Sequence, residues 1–199
     1  MMLTAAGIKP VSILLATMLL AACTLFELRD AEESDAATNL CPPVYNPDDV
    51  IQNFQRSVSL LNPSCYFESF VDSTYLQEFQ FIPEAGFQDS PLFGDWTAQR
   101  EYEFLTALQQ YYSDDYEGRE HLLILSNGVL VELGDSATYH ADYQLEMFQE
   151  DSLRNYIGSI HLKLSRQSTF QRWAIYYWED QSVPATGSWT ELKAMMIVQ

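Results

Sequence analysis

The stretch Ser136-Ala-Thr-Tyr-His-Ala-Asp-Tyr-Gln-Leu-Glu-Met-Phe148 decides how this chain folds. Tyr139, Ala141, Tyr143, Leu145 and Met147 alternate with Thr138, His140, Asp142, Gln144 and Glu146. A period of two held over that length is a long strand with one packed face and one wet face. Just downstream, Ile160, Leu162 and Leu164 alternate with Ser159, His161 and Lys163 in a second strand over 156–165. A two-residue turn at Glu150-Asp151 sets Tyr139 opposite Leu162, Ala141 opposite Ile160 and His140 opposite His161. The apolar residues of both strands then share one face, whereas a slip of one residue would turn every one of them to the other side.

The same period extends in both directions. Residues 121–125 and 129–133 flank Asn127-Gly128, a dipeptide favoured in type I′ turns because both central residues need positive φ, so a hairpin is expected there. Residues 171–180 are aromatic on both faces and belong in the middle of the sheet. The half of the chain before residue 114 has helical spacing instead. Val50, Ile51, Phe54, Val58 and Leu61 recur three and four apart behind Asp48 and Asp49, and Asn62-Pro63 stops the run. Ser64 is expected to cap a short second helix carrying Phe67, Phe70 and Val71. Phe79-Gln-Phe-Ile-Pro83 fits a short edge strand ending in proline. A third helix from about Thr97 places Phe104, Leu105, Leu108 and Tyr111 on its packed side. Ser188-Trp-Thr-Glu191 fits a capping box opening a short terminal helix.

Composition bounds what surrounds this domain. The 199 residues are 47% hydrophobic, 14% aromatic and carry a net charge of −18, which repels phosphate backbones and disfavours nucleic acid as a partner. Val11 to Leu20 is an apolar run whose helix would be about 15 Å long, half a bilayer's hydrocarbon core, so it reads as the core of a signal peptide over 1–22. Leu20-Ala21-Ala22-Cys23 resembles the bacterial lipobox, which implies cleavage before Cys23 and a lipid on its thiol. Thr24, where an inner-membrane retention signal would have Asp, favours the outer membrane. Residues 23–47, rich in Asp, Glu, Ala and Pro, read as an acidic flexible tether, leaving 48–199 as one domain. With Cys23 acylated, Cys41 and Cys65 remain, an even count in an oxidising compartment, and a disulfide between them is expected. The three histidines stand apart in sequence and no metal-binding spacing occurs, so neither metal nor cofactor is expected.

Helices first and a long antiparallel meander after them is α+β segregation. That order, with Phe79-Gln-Phe-Ile-Pro83 ahead of the third helix and Arg172-Trp-Ala-Ile-Tyr-Tyr-Trp-Glu-Asp180 near the end, resembles the NTF2-like (SnoaL-like, cystatin-like) superfamily, and within it bacterial lipoproteins. The resemblance spans about 48–195. It implies a cone: about three helices on a strongly curved antiparallel sheet of 4–6 strands, with a pocket between them. Its members include isomerases, cyclases, dehydratases and non-catalytic binding modules, so the fold leaves the function open.

For such a pocket the packed face offers Tyr139, Tyr143 and Tyr156, joined by Phe104 and Tyr111 from the third helix and, for one parity of the last strand, by Trp173 and Tyr177. The other parity would instead turn Tyr176 and Trp178 inward. Every inward position assigned in this way is apolar or aromatic, with no acid or base to activate a substrate. Asp114 and Asp115, after the third helix, could lean over the cone mouth, but read more simply as loop. His140 and His161 fall side by side on the wet face, away from the pocket, and read as part of a solvated surface. The expected role is therefore an envelope-anchored, non-catalytic domain binding a small apolar ligand or a protein partner. The alternatives are a SnoaL-like enzyme acting on an apolar carbonyl substrate and a structural accessory subunit paired as a homodimer.

Overall fold

The computed structural model describes residues 41–112, 121–149 and 152–197. The signal peptide, Cys23, most of the tether, Asp114-Asp115 and the Glu150-Asp151 turn lie outside the described residues.

Helix α1 (Pro47–Ser59) buries Val50, Ile51, Phe54 and Val58. The Asn46 N–H donates to Asp49 Oδ2 at 3.1 Å, and Leu61 ends the turn with φ of 46° ahead of Pro63. Helix α2 (Pro63–Phe67) is capped by Asn62, whose side chain accepts from the Cys65 N–H, rather than by Ser64. The longest helix, α3 (Ala98–Tyr112), buries Glu101, Phe104, Leu105, Leu108 and Tyr112. Tyr111, expected on that face, points outward, because one turn beyond Leu108 the stripe passes through Tyr112.

Five strands form one sheet in the order β1-β5-β4-β3-β2: β1 (Gln80–Ile82), β2 (Leu122–Leu133), β3 (Ser136–Gln149), β4 (Ser152–Arg166) and β5 (Trp173–Ser182). All neighbours are antiparallel except β1, which runs parallel to β5 at the edge. The β3–β4 register is the one read from the sequence: Tyr139 faces Leu162, His140 faces His161 and Ala141 faces Ile160. Tyr139, Ala141, Tyr143, Leu162 and Leu164 are buried beneath the helices, and His140 and His161 lie on the opposite face.

Two bulges depart from simple alternation. Asn127-Gly128 is not a hairpin: β2 runs through it as one strand, with a register shift between Ser126 and Val129 and Asn127 at φ of 54°. Fourteen residues of β3 offer more pairing than a local turn, and the Tyr139 ring lies over Gly128 so closely that a Cβ there would sit 2.6 Å from its hydroxyl. The bulge reverses the parity of β2, so Val129, Val131 and Leu133 emerge on the outer face beside Leu122 and Ile124. In β5 a shift between Lys163 and Leu164 leaves Tyr176 as the extra residue. Trp173 and Ile175 face inward before it, Trp178 and Asp180 after it. The inward set thus draws on both of the parities considered from the sequence.

Residues from Cys41 onward belong to the packed unit, not to the tether. Val44 is buried, its carbonyl accepts from the Trp173 N–H at 2.9 Å, and Cys41 is disulfide-bonded to Cys65. Helix α4 (Trp189–Ile197) closes the fold over the sheet. Its capping box is formed: Ser188 Oγ accepts from the Glu191 N–H at 3.1 Å, and the Ser188 N–H donates to Glu191 Oε2 at 3.3 Å.

Candidate functional site

The first turn of a helix leaves backbone N–H groups without intrahelical partners, and around α4 the inward side chains of the sheet meet that demand. The Trp189 N–H donates to the Tyr143 hydroxyl at 2.8 Å. The Thr190 N–H and hydroxyl both donate to Asp180 Oδ2, at 2.7 and 2.6 Å, while Tyr143 donates to Oδ1 at 2.9 Å. Ser188 Oγ donates to Glu84 at 2.9 Å. Burial pushes the Asp180 carboxyl up from the usual range, and its hydrogen bonds from Thr190 and Tyr143 pull the other way. This buried acid is thus committed to holding a helix terminus.

One turn further along α4, Lys193 enters the space between helices and sheet. Its Nζ donates to Glu101 Oε1 on α3 at 2.5 Å, and both side chains are 0% exposed. Trp96 Nε1 donates to the same carboxylate at 2.7 Å and the Tyr66 hydroxyl to its other oxygen at 2.7 Å. The ammonium lies 3.5 Å from the Trp178 ring centroid and 3.6 Å from that of Phe81, with Trp96 and Phe104 at 5.3 and 5.8 Å. A cation between two ring faces is stabilised by the ring quadrupoles, more so away from water. Burial nevertheless lowers the Lys193 pKa to about 8, against the opposing pull of Glu101. The Tyr66 hydroxyl is raised well above its usual value by burial, then by the Glu101 charge.

Of the aromatics expected to line a pocket, Phe104, Tyr139, Tyr143, Tyr156 and Trp173 are buried as parts of one core cluster, each packed against its own neighbours. Tyr143 holds Asp180, Tyr139 covers Gly128, and Tyr156 covers Gly187. Trp173 lies at the Val44 end of β5, with the Arg166 guanidinium 5.8 Å from its ring. Tyr111 is 43% exposed. Tyr177 stands on the outer face, where the Lys163 ammonium lies 4.3 Å over its ring, because the bulge at Tyr176 comes before it. The cone's centre is instead filled by Phe54, Trp178, Trp189 and Lys193, with Trp178 and Trp189 edge to face at 4.9 Å.

The sequence reading missed Glu101, Asp180 and Lys193. Two of them left a trace. Glu101 stands three and four residues before Phe104 and Leu105, and Lys193 stands four after Trp189 and three before Met196, so each is a lone charge on an apolar stripe.

No family model matches the chain, and no curated protein matches it by sequence. Solved structures do. A protein of unknown function from Mycobacterium tuberculosis superposes with a TM-score of 0.53 at 11% identity, covering 76% of this chain and 89% of its own. An NTF2-like superfamily protein from Salmonella enterica serovar Typhimurium gives 0.50 at 14% identity, over 70% and 89% of the two chains. An NTF2-like protein of unknown function in nutrient uptake from Rhodospirillum rubrum gives 0.50 at 10%, over 69% and 98%. At these identities the likeness establishes architecture and nothing finer. Helices first, a curled sheet after them and a core between the two: the fold of this chain is that of the NTF2-like superfamily.

Proposed function

We propose that this is a lipid-anchored module of the bacterial envelope, attached to the outer membrane through Cys23, whose domain docks a protein partner and catalyses no reaction. The observation that carries the reading is the occupied cone. Lys193 and Trp189, supplied by the chain's own last helix, fill the space in which the fold would otherwise admit a small molecule. A small apolar ligand would have to displace a paired, buried ammonium, which costs far more than such a ligand returns. Contact with a partner then falls to the surface. The exposed side chains of Leu122, Ile124, Val129, Val131 and Leu133 line up on the outer face of β2, and Glu132, the one acidic residue of that strand in a chain of net charge −18, pairs with the inward Ala137 and so stands on the other face. Two copies of the chain repel least along that strand, so a second copy is the partner proposed.

A second reading rests on Glu101 and Lys193 themselves. A carboxylate and a lysine of lowered pKa inside an NTF2-like cone are groups that an enzyme acting on a carbonyl substrate could use. Against it, Glu101 is saturated by Lys193, Trp96 and Tyr66.

Native mass spectrometry of the protein from its own host separates these readings. The expected species are lipidated chains in pairs without a stoichiometric small molecule; a monomer, or a retained small ligand, overturns the docking reading. Radiolabelled palmitate tests the anchor separately: Cys23→Ser should abolish incorporation, and unchanged labelling would refute acylation at that residue.

A further inference from the structure

We propose that His140 and His161 form a binding site for a borderline divalent transition-metal ion, such as Zn2+ or Cu2+, on the outer face of the sheet. The two residues are direct cross-strand partners on β3 and β4, and their rings lie parallel, 15° apart, with centroids at 3.9 Å. A tetrahedral ion bonded to two imidazole nitrogens at about 2.0–2.1 Å holds those nitrogens about 3.3 Å apart. An ion lies in the plane of each ring that binds it, so the two parallel rings would have to turn out of their stack about their side-chain torsions to chelate one.

The third strand supplies the feature that separates this pair from two imidazoles stacked by chance. Glu179 on β5 is the direct partner of His161 across the next ladder, and its Oε2 lies 3.7 Å from His161 Nδ1. The carboxylate is itself fixed from both sides: the Tyr177 hydroxyl donates to Oε2 at 3.0 Å, and Gln181 Nε2 donates to Oε1 at 3.1 Å. At 3.7 Å the carboxylate stops short of a hydrogen bond, but its negative charge favours the tautomer with the proton on Nδ1, which leaves the Nε2 lone pair free for a metal. Three adjacent strands thus carry, in register, a ligand, a second ligand and the group that orients it. No third His, Cys, Asp or Glu converges with them among the described residues, so solvent completes the coordination shell. The donor set is imidazole, which suits Zn2+, Cu2+ and Ni2+ and discriminates against Mg2+ and Ca2+.

The test is calorimetric titration of the full chain, purified without a histidine tag, with ZnCl2 and with CuCl2 in a buffer that does not bind metals. One ion per chain is expected, with Cu2+ tighter than Zn2+ and 10 mM MgCl2 failing to compete. His140→Gln and His161→Gln should each weaken binding at least 10-fold while unfolding at the wild-type temperature without metal, and Glu179→Gln should weaken it about 10- to 100-fold. Absence of saturation at one equivalent, or binding that survives unchanged in either histidine variant, overturns the proposal.

Discussion

Lys193 and Glu101, ninety-two residues apart in sequence, meet at 2.5 Å with neither side chain exposed, and the last helix is thereby tied to α3. Removing one partner of a buried pair leaves the other charge uncompensated. Lys193→Met should therefore destabilise the domain by about 3–5 kcal/mol. In Glu101→Leu/Lys193→Met no charge is stranded, and the loss should fall short of the sum of the single losses by about 1–3 kcal/mol. Urea denaturation of the three variants measures it, and additive losses would mean that the two side chains are not coupled.

The same lysine gives the stability a pH dependence of defined sign. Its folded-state pKa lies at about 8, below the ordinary 10.5, so between those values the unfolded chain binds more protons than the folded one. Stability should therefore rise with pH across that window, by on the order of 2–3 kcal/mol at most. Tyr66 opposes this at higher pH: its raised pKa means that the folded state keeps a proton the unfolded state loses above about 10. Equilibrium unfolding at pH 7, 8, 9 and 10 should show a rise that Lys193→Met removes; a flat wild-type profile would contradict the assignment.

Register is tested by two neighbours on β4. Leu162 is 0% exposed, while His161 faces the outer surface. Leu162→Ala should cost about 2–5 kcal/mol through the cavity it leaves, and His161→Ala about 0.5 kcal/mol or less in the absence of metal. Denaturation midpoints with the order reversed would mean that the sheet faces are inverted.

The long strands were legible because Tyr139, Tyr143, Leu162 and their neighbours obey a period of two without interruption, and any slip would have exposed all of them together. The terminal capping box was legible for a similar reason, since Ser188 and Glu191 act on adjacent backbone. What alternation could not reveal was the pair of bulges. An extra residue at Tyr176 moves Asp180 inward and Tyr177 outward, and the shift after Ser126 turns Val129, Val131 and Leu133 to the outer face. Each bulge depends on what lies across the strand, as Tyr139 does over Gly128, and that is tertiary information. Glu101 and Lys193 were illegible singly, because each is a misfit until the other is found.

The covalent tie between Cys41 and Cys65 closes a loop of 24 residues' separation and fixes the segment bearing Val44 against the core. In the chain-entropy account such a closure stabilises by about 3 kcal/mol. Cys41→Ser/Cys65→Ser should lose about that much by denaturant titration, and the wild-type thiols should become open to alkylation only after reduction. Unchanged stability in the double variant would mean that the closure contributes nothing.

If the chain's own charged and aromatic side chains fill the cone, reductive methylation of native protein, read by peptide mass spectrometry, should not reach its interior. The sequence has three lysines, Lys9, Lys163 and Lys193. Lys163, partly exposed on the outer face, should be dimethylated readily, and Lys193 should stay unmodified until the protein is unfolded in urea. Modification of Lys193 in the native protein at a rate comparable to that of Lys163 would instead show that the cone is open to small molecules.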